Sequence, residues 1–117
     1  MAYMLLIVEP QGQRSTRTDA EGRALYDSMV RFSEELKQQG LLRISQSLKS
    51  DTAAARVKLR GDSAMITDGP FAETKEIIGG FFLLTCETRE EAIEIAQRCP
   101  AAQWATVEVR ELGPCFS

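Results

Sequence analysis

Apolar residues fall along this chain in blocks whose spacing switches between a two-residue and a helical period, and that rhythm predicts alternating strands and helices. Residues 2–8 form an apolar run of strand length, closed by Glu9-Pro10-Gln11-Gly12, whose proline and glycine mark a loop. Thr18-Asp19-Ala20-Glu21 has the capping-box spacing, in which a threonine and a glutamate three residues on satisfy each other's backbone amides. Leu25, Met29, Phe32 and Leu36 then recur at helical steps, and Gly40 stands where a left-handed terminator belongs. The first helix is therefore predicted from about Asp19 to about Gln39.

Leu41 to Leu48 reads as a strand with Leu42, Ile44 and Gln46 on one face and Arg43 and Ser45 on the other, and Lys49 to Ala54 as a connecting loop. Arg56 to Arg60 alternates, Gly61-Asp62 turns, and Ser63 to Thr67 returns, which predicts a hairpin. A leading glycine suits a type II′ turn, and with Val57 and Leu59 opposite Arg56, Lys58 and Arg60 one side of the hairpin is expected to be wet. Ile77 to Cys86 is the most apolar segment and is expected to be a central strand covered on both faces. Gly79-Gly80 within it marks a bulge or a close backbone approach. Thr88-Arg89-Glu90-Glu91 opens a second helix with a buried stripe of Ala92, Ile95, Ala96 and Cys99, stopped by Pro100. Gln103 to Leu112 alternates as a last strand, placing Trp104, Thr106, Glu108 and Arg110 on one side and Ala105, Val107, Val109 and Glu111 on the other.

Strand, helix, strand, hairpin, long strand, helix, strand is the order of two split βαβ halves. It predicts an α+β, ferredoxin-like antiparallel sheet with both helices on one face and an inserted β-hairpin. No linker or repeat divides residues 1–117, so one domain is expected. The uncovered sheet face carries too much apolar surface, including Phe81 or Phe82 and Trp104, to stand in water, at about 25 cal/mol per Å². A homodimer built sheet against sheet is the expected remedy.

Composition narrows the function more by exclusion than by indication. A net charge of −3 with intermixed signs lacks the basic stripe that nucleic-acid binding requires. The apolar start at Tyr3-Met4-Leu5-Leu6-Ile7-Val8 is far shorter than a membrane span and lacks signal-peptide features. Cys86, Cys99 and Cys115, an odd number at wide spacing, form neither a disulfide framework nor a zinc knuckle, and a reducing cytoplasm is the simplest compartment. The chain has no histidine, so Ser-His and Cys-His nucleophile pairs and His-based metal sites are unavailable within one subunit. No phosphate-cradling glycine loop or metal cluster is visible, and no cofactor is expected.

Asp68-Gly69-Pro70-Phe71-Ala72-Glu73-Thr74-Lys75-Glu76 with the following Gly79-Gly80-Phe81, the opening Tyr3-Met4-Leu5-Leu6-Ile7, and Cys99-Pro100-Ala101 leading into Thr106-Val107-Glu108-Val109-Arg110 resemble the YCII-related proteins, specifically their DGPF subgroup. The likeness extends over nearly the whole chain. It implies a bacterial ferredoxin-like domain pairing into a dimeric α/β barrel, and an association of many relatives with sigma factors of the extracytoplasmic-function type. The resemblance carries a suggested enzymatic role for the wider family, because an aspartate, matched here by Asp68, lies in a pocket and pairs with a histidine in some members. That dyad cannot be carried over to a chain without histidine.

Asp68 is the candidate catalytic residue, and it has two readings. In one it caps a turn by accepting backbone amides, which lowers its pKa. In the other it sits in a cleft as a general acid or base acting on a small organic acid or lactone. Gly69, Pro70, Phe71, Lys75 and Trp104 are the candidate ligand-binding residues around it. Arg14 and Arg17, flanking the first helix start, are candidates for holding an anion with the helix dipole. A binding or regulatory module with a small organic ligand, an Asp68 enzyme and a sigma-factor partner are the three functional readings. The missing histidine and cofactor signature favour the first.

Overall fold

In the computed structural model, which describes residues 2–116, four strands pair in the order β2-β5-β1-β6, with β1 at Tyr3–Pro10, β2 at Leu42–Ser47, β5 at Glu76–Leu84 and β6 at Thr106–Glu111. Every pairing within this sheet is antiparallel. Helices α1 (Asp19–Gln38) and α2 (Arg89–Arg98) connect the strands as two split βαβ halves, so the ferredoxin-like plan holds. Residues 1 and 117, the outer ends of the expected domain, lie outside the described residues.

Both helices begin where their threonines predicted. Thr18 Oγ1 accepts the Glu21 amide at 3.1 Å while Glu21 accepts the Thr18 amide at 2.8 Å, a complete capping box. At α2, Thr88 accepts the Glu91 amide, but the Glu91 carboxylate takes the Thr88 hydroxyl rather than its backbone amide. Helix α1 ends in a Schellman motif. Gly40 adopts φ 73°, its amide bonds to the Lys37 carbonyl at 3.0 Å, and the Leu41 amide bonds to the Leu36 carbonyl at 2.9 Å.

The core lies between the helices and one sheet face. Tyr3, Leu5 and Ile7 of β1, Phe82 and Leu84 of β5, Phe32 and Leu36 of α1, Ala92, Ile95 and Ala96 of α2, and Cys99 just past its end are all buried. Phe32 meets Phe82 edge to face at 5.4 Å, a geometry worth about 0.5–1.5 kcal/mol beyond area burial. The opposite face carries Met4 beside Leu83 and Leu6 beside Phe81, with Ile44 of β2 continuing the patch. Among the described residues the helices pack on the core face, and on this one Ile44 is 46% exposed. The expectation that β5 is covered on both faces therefore fails within one chain.

Several sequence expectations move by a register step. Strand β1 continues through Glu9 and Pro10 instead of ending at Val8, which puts Glu9 on the buried face in line with Leu5 and Ile7. In β2 the ladder shifts between Leu42 and Ile44, so Leu42 pairs with Leu84 on the helix side and Ile44 with Leu83 on the open side. Ser45 consequently faces α1, where its hydroxyl lies 2.7 Å from that of Ser33. The bulge foreseen at Gly79-Gly80 is present: Ile7 pairs with Gly80 and Val8 with Ile78, leaving Gly79 as the extra residue. Trp104 does not extend β6. It follows a 3-10 turn, Pro100–Gln103, and packs against the core instead of the open sheet face.

The hairpin of β3 (Ala55–Arg60) and β4 (Ser63–Asp68) forms a separate two-stranded sheet. Gly61 takes φ 60° while Asp62 does not adopt a positive φ, as a type II′ turn requires. Both faces of the hairpin are wet, rather than one: Val57 and Ile66, cross-strand partners, are each 66% exposed. This projecting arm accounts for a radius of gyration of 16.0 Å, against about 13.4 Å for a compact chain of this length.

Candidate functional site

The tripeptide Glu9-Pro10-Gln11 ends β1 and supports two separate polar clusters, one around the Asp-Gly-Pro-Phe turn and one at the floor of a cleft. Gln11 serves the first. Its side-chain amide donates to the Asp51 carboxylate and, at 3.2 Å, to the Phe71 carbonyl, while its backbone amide donates to the Lys75 carbonyl at 2.9 Å. Asp51 Oδ2 also accepts the Phe71 backbone amide at 3.0 Å. The donors of Phe71 and, next in weight, Gln11 hold the Asp51 carboxyl below its ordinary pKa, because they stabilise the charged form. Asp51 is covered by its own loop and the turn rather than sunk in the core, so the hydrogen bonds outweigh desolvation.

The turn itself is packed against the same loop. A Cβ on Gly69 would stand 1.7 Å from the Asp51 carbonyl oxygen, the Gly69-Pro70 peptide is cis, and Phe71 is buried with the Arg56 guanidinium 3.8 Å over its ring. Asp68 lies exposed at the end of β4, opposite Ala55, and its carboxylate makes no hydrogen bond or ion pair among the described residues. The amide-accepting carboxylate expected at Asp68 is thus found at Asp51, a residue the sequence placed only in a connecting loop. Pro70 and Lys75 are exposed beside the turn, and Phe71 lines a shallow hollow with Asp51 and Arg56.

The larger concavity lies elsewhere, between α1 and the sheet, with a volume of about 1070 Å³. Its floor is Ile7, Glu9, Gly79, Gly80 and Phe82, and Leu25, Tyr26, Met29 and Ser33 of α1 form one wall. Trp104 lines it at one end, away from Asp68 and the turn. Helix α1 is fully buried only toward its C-terminal end, at Phe32 and Leu36, while Leu25 is half-buried and Met29 packs partly buried against the core, and both line the cleft.

Glu9 is 5% exposed at this floor. Arg14 Nε lies 2.6 Å from Glu9 Oε1, an ion pair that partners the buried carboxylate. Arg14 Nη1 donates to the Leu48 carbonyl at 2.8 Å and Nη2 to the Gly79 carbonyl at 3.4 Å, and its side chain stays 35% exposed. A Cβ on Gly79 would stand 2.6 Å from Glu9 Oε2 and 2.9 Å from Arg14 Nη2, so glycine in the bulge leaves room for the pair. Beside it, Gln13 donates to the Trp104 carbonyl at 2.8 Å and keeps a buried Oε1 without a donor.

Of the residues singled out in the sequence, the structure brings Arg14, Arg17 and Trp104 to this cleft, and Gly69 and Phe71 to the Asp51 cluster. The one missed signal is Glu9: a charged residue two positions after Ile7 continues the buried alternation of Tyr3, Leu5 and Ile7. Pro10 hid it by marking a loop two residues too early. No group of His, Cys, Asp and Glu able to hold a metal occurs among the described residues. Among the described residues no helix is long and apolar enough to cross a membrane.

A family model for the YCII-related domain matches residues 1–115. An uncharacterized protein of Rhizobium meliloti is 30% identical over 115 residues, covering 97% of this chain and 93% of that protein. Among solved structures, the 5-chloro-2-hydroxyhydroquinone dehydrochlorinase of Burkholderia phenoliruptrix, in complex with 2,5-dihydroxybenzoquinone, is similar with a TM-score of 0.54 and 14% identity, over 97% of this chain and 94% of that one. At that identity the likeness concerns the fold.

Proposed function

The chain belongs to the YCII-related family, and on that footing we propose that it binds a small organic molecule in the cleft under α1, with Glu9 and Arg14 at the floor, and that it acts as a homodimer. The observation that carries this reading is Glu9. A carboxylate taken out of water is costly even when paired, and a branched aliphatic residue would continue the β1 stripe at no such cost. A buried carboxylate paired with an arginine on the lining of a cleft of about 1070 Å³ is what a ligand site uses and a plain core does not.

The homodimer is supported by the uncovered sheet face of Met4, Leu6, Phe81, Leu83 and Ile44, and by the apolar stripe of Val57, Leu59 and Ile66 on the projecting hairpin. A second reading, catalysis, is favoured by the dehydrochlorinase of the same fold. In that case Glu9 is the carboxylate placed within a cleft to accept a proton, and Asp68 lies outside it.

The test is a screen of small organic compounds against the full chain by amide NMR, with the single tryptophan, Trp104, as a fluorescence reporter inside the cleft. Binders are expected to shift Gly79 and Gly80 and to alter Trp104 emission. Shifts confined to the hollow beside Phe71 would overturn the assignment of the cleft. Turnover of a bound compound that is lost in Glu9→Gln while binding persists would establish the catalytic reading.

A further inference from the structure

We infer that the ligand of this cleft is an organic anion, a carboxylate on an apolar body, received by Arg14; this rests on the cleft being the binding site. Arg14 lines the cleft and its side chain is 35% exposed, whereas that of its partner Glu9 is 6% exposed. The ion pair therefore presents its cationic half to a ligand and keeps the carboxylate behind it. A guanidinium carries N–H groups in a fork, one on Nε and two on each Nη. Here Nε stands against Glu9, one N–H of Nη1 donates to the Leu48 carbonyl and one of Nη2 to the Gly79 carbonyl. Each Nη thus keeps a second N–H without a partner among the described residues.

The three anchors come from β1, from the residue after β2 and from the β5 bulge, so the guanidinium is held in place before a ligand arrives. A donor fixed in this way loses little rotamer freedom on binding, and arginine bonds to a carboxylate are about twice as strong as neutral hydrogen bonds. The surrounding charge favours the same ligand. Arg17, Arg23, Lys37 and Arg43 line the cleft with Asp19, Asp27 and Glu34, so cations are in excess there even when Arg14 and Glu9 are included. That excess is local, since the whole chain carries a net charge of −3. Leu25, Met29, Phe82 and Trp104 add apolar and aromatic wall suited to a ring or a short hydrocarbon frame.

The test compares benzoate, benzamide and benzylammonium, which share a ring and differ in charge, on the full chain near neutral pH. Dissociation constants are read from Trp104 fluorescence and from the Gly79 and Gly80 amide shifts, and contact with Arg14 from its side-chain N–H signals. Benzoate is expected to bind more tightly than either of the others by about tenfold, and to shift the Arg14 signals. Benzamide or benzylammonium binding as tightly as benzoate would overturn the ligand class while leaving the cleft as the site. Absence of any response to all three probes at Gly79, Gly80 and Trp104 would overturn both. Arg14→Lys keeps a charge beside Glu9 but loses the fork, so benzoate binding should weaken by about tenfold, and an unchanged affinity would remove Arg14 as its receptor. Should that variant not fold, the parent protein decides: benzoate held in the cleft without moving the Arg14 signals would count against the inference.

Discussion

The Asp51 carboxylate accepts the backbone amide of Phe71 at 3.0 Å, across 20 residues of sequence, and so ties the loop before the hairpin to the turn after it. Since the pKa of Asp51 is lowered in the folded protein, its contribution is present above the unfolded carboxylate pKa and is lost as pH falls through the folded value. Asp51→Ala should therefore lower the thermal midpoint near neutral pH, with a gap from the parent that narrows below about pH 4. Glu21 also has a lowered pKa but is common to both proteins, so the difference isolates Asp51. Thermal melts from neutral to acid pH check this, and a gap constant with pH would contradict it.

Three glycines are expected to separate by what a methyl group would meet. Gly69→Ala drives a Cβ to 1.7 Å from the Asp51 backbone oxygen, an atom that cannot swing away, and should cost about 2–4 kcal/mol in urea unfolding. Gly79→Ala meets the ends of the Glu9 and Arg14 side chains, which can yield, so stability should fall by about 1 kcal/mol while cleft binding is lost. Gly113→Ala meets nothing and should be neutral.

Leu83→Lys places a charge in the middle of the open sheet face, beside Met4 and Ile44. Sedimentation velocity should show a dimer in the parent and a monomer in the variant at the same concentration, with helix and sheet content unchanged by circular dichroism. A parent that sediments as a monomer at high micromolar concentration would remove the sheet-to-sheet homodimer from consideration.

The thiols should divide by burial. Cys115 is exposed, whereas burial raises the Cys86 pKa and pushes the Cys99 thiol up to about 11. One thiol should react with a disulfide reagent at mildly alkaline pH and the other two only after unfolding. Prompt reaction of all three would mean that the α2 side of the core opens readily.

The local elements were legible because their causes are local. A threonine three residues before a glutamate, a glycine after the last apolar helical step and a glycine leading a two-residue turn each act through neighbouring backbone, and each appears in the structure as read. Register was less legible. Pro10 signalled a loop, yet its missing amide is tolerated at the last residue of β1, and with that strand two residues longer Glu9 enters the buried stripe. The shift between Leu42 and Ile44 likewise depends on the partner strand, so the faces of β2 could not be assigned from alternation alone.

By itself, the order of strands and helices determined the ferredoxin-like topology, because short connections and right-handed crossovers leave few ways to join these elements. The absence of histidine determined which chemistries one subunit lacks. Only the tertiary structure decided which carboxylates matter. Asp68 is exposed at the end of an arm, Asp51 takes the turn amides, and Glu9 becomes the floor of a cleft because the β5 bulge at Gly79 leaves room for its pairing with Arg14. Burial and partnership are set by contacts between segments far apart in sequence, and no local pattern records them.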